Sequence, residues 1–151
     1  MTNITKLKNT VKKIFLKKGL NHNHSKKCAD AIINAELVGA HSHGLSRLKM
    51  YCNRIDRKLI NPKPKIKNKK ISKSISYIDA DNSIGFVAAD SAIKKAIQNS
   101  KKTGIGLVAV KKSGHYGLSG FYAEKAVKKN LISLIFTNAP PAVAPHGALK
   151  S

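Results

Sequence analysis

Twelve residues constrain this chain more than any other stretch: Glu36-Leu37-Val38-Gly39-Ala40-His41-Ser42-His43-Gly44-Leu45-Ser46-Arg47. They gather two histidines, two serines, two glycines and one of only three arginines between one apolar helical pattern and another. Gly39 and Gly44 let the backbone bend closely around His41 to His43. A junction of this kind places polar groups together on rigid supports, which is the ordinary setting of a site. A second stretch, Ser113-Gly114-His115-Tyr116-Gly117-Leu118-Ser119-Gly120, has the same character between an apolar run and a helical pattern.

Around these two stretches the periodicity predicts a helical first part and a mixed second part. Ile4, Leu7, Val11, Ile14 and Phe15 form one face of a helix over residues 3–18, with Gly19 as its terminating glycine. Asn21-His22-Asn23-His24 is expected as a polar solvent loop, since nothing nearby completes a metal site for His22 and His24. Ser25 is then the expected N-cap of a helix to about Ala40, with Cys28, Ala31, Ile32, Ala35 and Val38 inward. Leu45 to Leu59 is helical again, and Asn61-Pro62-Lys63-Pro64 stops it. The lysine-rich stretch 63–73 is expected to be a surface loop. Ile71 to Ile78 alternates like a strand, and Asp79-Ala80-Asp81-Asn82 is expected to turn. A long helix from Gly85 to about Lys102 presents Val87, Ala88, Ala92, Ile93 and Ile97. Beyond Gly104, Ile105 to Val110 is expected as a buried strand, followed by a helix over 118–129 and a strand over 131–137. Strand, helix and strand at that spacing suggest a βαβ unit with parallel strands.

The fold class is therefore α/β: an N-terminal helical layer (1–60), then the first part of an α/β domain (61–151) with part of a mixed sheet. Asn138 to Gly147 is a proline-punctuated loop, and a sheet that stops after its third strand leaves an edge and half a core open. The chain is expected to be the front part of something larger.

Composition bears mainly on partners. A formal charge of +22 on 151 residues invites a nucleic-acid reading. Lysine supplies 26 of the 29 basic residues and is scattered, while lysine, asparagine and isoleucine together make 54 residues. That pattern matches drift toward A/T-rich codons, which adds solvated charge without choosing a partner. Four Phe, four Tyr and no Trp leave few rings to stack on bases, and they do not alternate with the lysines. A basic field of this size still attracts anionic ligands. Cys28 and Cys52 lack disulfide-rich spacing and are expected as reduced thiols of a cytoplasmic protein. No run reaches membrane-spanning length, and the basic N-terminus lacks the apolar core of a secretion signal.

His43 and Arg47 carry the chemistry the residues suggest. A histidine exchanges a proton near neutral pH, which suits carbonyl reduction or alcohol oxidation, and an arginine offers a planar fork to a carboxylate. Ser42 is placed to hydrogen-bond an imidazole or a substrate oxygen. The plainer alternative has one histidine capping the helix and Arg47 paired with Asp30, Glu36 or Asp56. Ser113 to Gly117 sits between a strand and a helix start, where backbone N–H groups bind anions, although its spacing is not G-x-G-x-x-G. His115 is a second acid–base candidate or a cofactor contact.

Taken together, these residues resemble the malate/L-lactate dehydrogenase family of NAD(P)-dependent oxidoreductases, distinct from the Rossmann-type lactate and malate dehydrogenases. The resemblance runs through Val38 to Leu48, Tyr51, Arg54, Ile60-Asn61-Pro62, Ile78-Asp79, Gly85, Ser113 to Gly117, Thr137-Asn138 and Pro141 to Pro145. It implies hydride transfer between NAD or NADP and a small 2-oxo or 2-hydroxy acid. His43 would be the proton donor, Ser42 its support, and Arg47 the grip on the substrate carboxylate. His115, Tyr116, Gly117, Leu118 and Ser119 would contact the nicotinamide cofactor, with His115 the other contender for the acid–base role. It implies a homodimer for a full-length member; by the spacing of the residues themselves, no Cys/His or carboxylate set is expected to bind a metal. Family members are longer and place a tryptophan and two glycines where this chain has His146-Gly147-Ala148. The 151 residues alone are therefore expected not to catalyse. The alternative is a non-catalytic remnant or a basic nucleic-acid-binding fragment, marked by steep salt dependence of DNA binding.

Overall fold

The computed structural model describes residues 3–138. Helix α1 (Ile4–Lys17) starts where the Asn3 side chain accepts the Lys6 N–H at 3.2 Å, and it buries Val11 and Phe15. Gly19 follows with φ +90°. Helix α2 (His22–Leu37) begins four residues earlier than expected. Asn21, not Ser25, is the N-cap, accepting the His24 N–H at 2.8 Å. Asparagine caps as well as serine and comes first in the chain. His22 to His24 are therefore the first turn of a helix rather than a loop, and Ser25 is buried inside it. Cys28, Ala31, Ile32 and Ala35 face inward as expected, but α2 ends at Leu37, which leaves Val38 exposed. Two short 3-10 turns, His41–His43 and Leu45–Arg47, lead into helix α3 (Leu48–Asp56), which buries Tyr51 and Ile55.

The lysine-rich stretch is not only a loop. Strand β1 (Lys67–Lys70) pairs antiparallel with strand β2 (Ile75–Ser83), its side chains all exposed. An edge strand studded with lysine is a solvated strand that resists further pairing. Nor is Asp79 to Asn82 a turn outside the sheet. It lies within β2 as an irregularity, with register shifting between Asp79 and Ser83 and positive φ at Asp81 and Asn82. Aspartate and asparagine tolerate that conformation best among residues with a Cβ. The Asp81 carboxylate accepts the Lys65 N–H at 2.9 Å and an Asn61 amide N–H at 3.0 Å, which ties the proline-containing connection to the sheet.

Helix α4 (Gly85–Thr103) crosses over to strand β3 (Leu107–Ser113), which runs parallel to β2, so the sheet order is β1-β2-β3. The βαβ unit is thus β2-α4-β3, one step earlier than the spacing of residues 105–137 suggested. Helix α5 (Gly120–Val127) follows, but residues 131–138 form no strand. Ile132, Leu134 and Phe136 are 96%, 77% and 86% exposed. Strand β3, expected to be buried, is exposed along most of its length. Both corrections have one cause: apolar runs are buried strands only when a neighbour pairs with them and layers cover both faces. Among the described residues, β3 has β2 on one side and α4 packed against the sheet, and nothing beyond. The loop expected from Asn138 to Gly147 lies, past Asn138, outside the described residues.

The main core joins α1, α2 and α3 to the start of α4 through Val11, Phe15, Ile32, Tyr51, Phe86 and Val87. A smaller one, Ile78, Ala80 and Ala88, seals α4 onto the sheet.

Candidate active site

The junction after α2 is folded by one carboxylate. Glu36, in the last turn of α2, receives the Leu45 N–H on Oε1 at 2.6 Å and meets His41 Nδ1 with Oε2 at 2.6 Å. The Leu45 N–H, followed by His41, holds the Glu36 carboxyl below its usual range. A Cβ on Gly44 would overlap that carboxylate, so a larger residue there would have to displace the Glu36 side chain from these bonds. Ser46 Oγ donates to the His41 carbonyl at 2.6 Å and Arg47 Nε to the Ser42 carbonyl at 2.8 Å. These bonds wind His41 to Arg47 into two successive tight turns. Ser42 Oγ lies 3.0 Å from His43 Nδ1. The alternative pairing of Arg47 with Asp30, Glu36 or Asp56 does not occur among the described residues. Those acids bind Lys8 and Lys26, His41, and Lys18 instead.

The second stretch is brought to the first by the β3-to-α5 connection. The His115 ring stacks on His43, centroids 5.7 Å apart and planes 28° apart. Tyr51, buried on α3, places its hydroxyl 2.7 Å from His115 Nδ1, and the Gly117 N–H donates to the same nitrogen at 3.1 Å. A backbone N–H can only donate, so Nδ1 is an acceptor and the imidazole proton sits on Nε2. Burial first, then the charges of His43, Arg47 and Arg54, push the His115 pKa below the ordinary histidine value. Burial pushes the Tyr51 phenol up, so it remains a protonated donor. The site therefore holds one neutral imidazole of defined tautomer beside a second, half-buried imidazole on a serine.

Helix α4 supports this connection from below. A Cβ on Gly85 would overlap the carbonyl oxygens of Gly114 and His115. Tyr122 donates to the Tyr116 carbonyl at 2.8 Å, and the Tyr116 and Ser119 hydroxyls lie 3.0 Å apart. The backbone N–H groups of Leu118, Ser119 and Gly120 have no acceptor among the described residues.

A family model described as malate/L-lactate dehydrogenase matches residues 2–151. The chain belongs to the malate/L-lactate dehydrogenase family. The malate dehydrogenase of Pyrococcus abyssi is 40% identical over 140 residues, which cover 93% of this chain and 39% of the relative. The L-sulfolactate dehydrogenase of Methanocaldococcus jannaschii is 37% identical over 134 residues, covering 89% and 39%. The solved structure of malate dehydrogenase from Pyrococcus horikoshii OT3 superposes with a TM-score of 0.82 at 34% identity, covering 85% of this chain and 37% of that one. The chain thus spans 39% of the length of these two malate/L-lactate dehydrogenase relatives.

His43, Ser42, Arg47 and His115, named from the sequence, thus lie in one neighbourhood. Tyr116, Gly117, Leu118 and Ser119 lie on the connection that carries His115. Sequence reasoning gave no role to two residues. Glu36 was visible only as the single acid in the constraining stretch, and was weighed only as a partner for Arg47. Tyr51 lies 64 residues from His115, and no local spacing signals that contact.

Proposed function

We propose that this chain supplies the acid–base and carboxylate-binding part of an NAD(P)-dependent oxidoreductase that interconverts small 2-oxo and 2-hydroxy acids. The observation that carries the reading is the stacked His43–His115 pair, with His115 held neutral by its surroundings and Arg47 exposed beside it. A nicotinamide, when bound, supplies or accepts the hydride. The turn that would hold it fits such a group, because the free N–H donors at Leu118, Ser119 and Gly120 suit an amide or phosphate oxygen.

The two histidines divide the remaining work. Arg47 binds the substrate carboxylate through its terminal nitrogens, since Nε is already committed to the Ser42 carbonyl. His115 presents Nε2–H to the substrate oxygen as a neutral donor, because Nδ1 is occupied by two donors. His43, supported by Ser42, moves the proton to and from that oxygen.

The test is an assay of the polypeptide encoded by the complete reading frame, with NADH and NADPH against a panel of 2-oxo acids. His43→Ala is expected to lower kcat by about 10²- to 10⁴-fold. Arg47→Ala is expected mainly to raise KM for carboxylate substrates. Wild-type turnover by His43→Ala would overturn the assignment.

A further inference from the structure

A cleft of about 280 Å³ opens between α2, α4 and α5, and none of the candidate active-site residues lines it. Its centre is Asp90, on α4 and only 4% exposed. Three ammonium groups from three helices converge on this one carboxylate: Lys125 at 2.7 Å, Lys94 at 2.9 Å and Lys27 at 3.0 Å. At the rim, Asp30 receives Lys8 at 2.5 Å and Lys26 at 2.9 Å. Five ammonium groups therefore answer two carboxylates, and four of those lysines line the cleft.

Basic composition supplies lysines everywhere, but it does not explain convergence from three helices on a buried acid. Burial would raise the Asp90 carboxyl, yet Lys125, Lys94 and Lys27 hold it well below its usual range. The carboxylate stays charged, with Oδ1 hydrogen-bonded by Lys125 and Oδ2 in ion pairs with Lys27 and Lys94, and the cations remain in excess. Each ammonium has three donors, so those bound to Asp90 or Asp30 retain N–H groups for another acceptor.

We propose that this cleft binds a phosphoryl group, free or carried on a nucleotide. Four lysines against Asp30 and Asp90 leave an excess of two positive charges among the residues lining the cleft, which calls for an anion of charge two that a single carboxylate does not supply. The terminal oxygens of a phosphoryl group diverge tetrahedrally, matching ammonium groups that approach from α2, α4 and α5. Lysine serves such ligands as a movable point charge. Phe121 forms an apolar wall, with Lys125 Nζ 4.4 Å from its ring centroid, and gives a nucleotide base a surface to meet.

Calorimetric titration of the whole chain at fixed ionic strength, with orthophosphate and separately with 5′-AMP, tests this directly. Lys26 and Lys94 are the variants of choice. Both side chains are 62% exposed and make only helical i,i+4 pairs, so the double substitution K26A/K94A leaves the core intact. A thermal melt verifies that it folds. The control K69A/K70A removes the same charge from exposed β1. The expected result is saturable binding that weakens by about fivefold or more in K26A/K94A and is retained in the control. Tighter binding of 5′-AMP identifies a nucleotide phosphoryl group as the ligand, and equal or tighter binding of orthophosphate identifies the free anion. The proposal is overturned by absence of saturable binding of both anions, by no loss in K26A/K94A, or by an equal loss in the two variants.

Discussion

Glu36 and Tyr51 touch no proposed reacting atom, yet each controls one that does. The Glu36 carboxylate ties the Leu45 N–H and His41 into one turn, and Arg47 leaves that turn aimed by its bond to the Ser42 carbonyl. Under the proposed function, Glu36→Ala is expected to raise KM for carboxylate substrates about tenfold or more, with a smaller effect on kcat. Glu36→Gln, which keeps an acceptor for Leu45, should restore most of the loss. Steady-state kinetics of the two variants distinguishes this positioning role from loss of fold, which would lower active enzyme in both. Tyr51 acts on tautomer instead. Long-range ¹H–¹⁵N correlation spectra are expected to show His115 as the Nε2–H form, with Nδ1 shielded only on gaining a proton at low pH. In Tyr51→Phe the Gly117 N–H alone holds that preference, and His115 should titrate at higher pH. An Nδ1–H tautomer in the unmodified protein would sink the assignment.

Among the elements, α4 has the heaviest duty. Its N-terminus lies under the His115 connection, its body forms the crossover between parallel strands, and its Asp90 draws in α2 and α5. A tight point beside the site is Gly85, where a Cβ meets two backbone carbonyls that cannot swing aside as a side chain could. Gly85→Ala is therefore expected to cost about 1–3 kcal/mol in chemical denaturation and to move the His115 ring off His43. An unchanged unfolding midpoint would show that the connection shifts freely. The buried pair Asn99 and Ser76, bonded at 3.1 Å, fastens the far end of the same helix to β2. With both ends secured, the helix is a rigid support for the site.

The molecule as a whole places its depressed pKa values so that acid weakens it. Asp90 and Glu36 have carboxyls held below their usual values, and His115 and His24 are pushed below the ordinary 6.5 by burial first. In each case the unfolded chain binds more protons than the folded one, so stability falls as pH falls. For the histidines the loss begins as pH drops below about 6.5, and for the carboxylates below about 4. Denaturant midpoints measured from pH 8 to pH 3 should decline in those two windows, and His115→Gln should flatten the upper one. A midpoint that rises on acidification would contradict the burial of these groups. The molecule also exposes Ile132, Leu134 and Phe136, large apolar side chains of the kind that fill a core.

How much of this was legible in the chain follows the range of the forces involved. Helices α1 and α4 were readable because periodicity and terminating residues such as Gly19 and Gly104 act within a few positions. Helix α3, by contrast, ends at Asp56, well before Pro62, and only Ile75 to Ile78 of the expected Ile71–Ile78 strand lie in β2. Ser42, His43 and Arg47 could be named together because they share one tight turn. Strand β1 was not readable, because the exposed Lys67 to Lys70 become a strand only when β2 offers backbone partners. The opposite failure occurred at 131–137, where an apolar run had every propensity of a strand and no neighbour to pair with. The bond from Tyr51 to His115 and the meeting of Lys27 and Lys125 on Asp90 join distant segments. Amino-acid order sets local propensity and the chemistry available. Which groups meet across 64 residues is decided by packing, since burial and hydrogen-bond geometry are properties of the assembled layers.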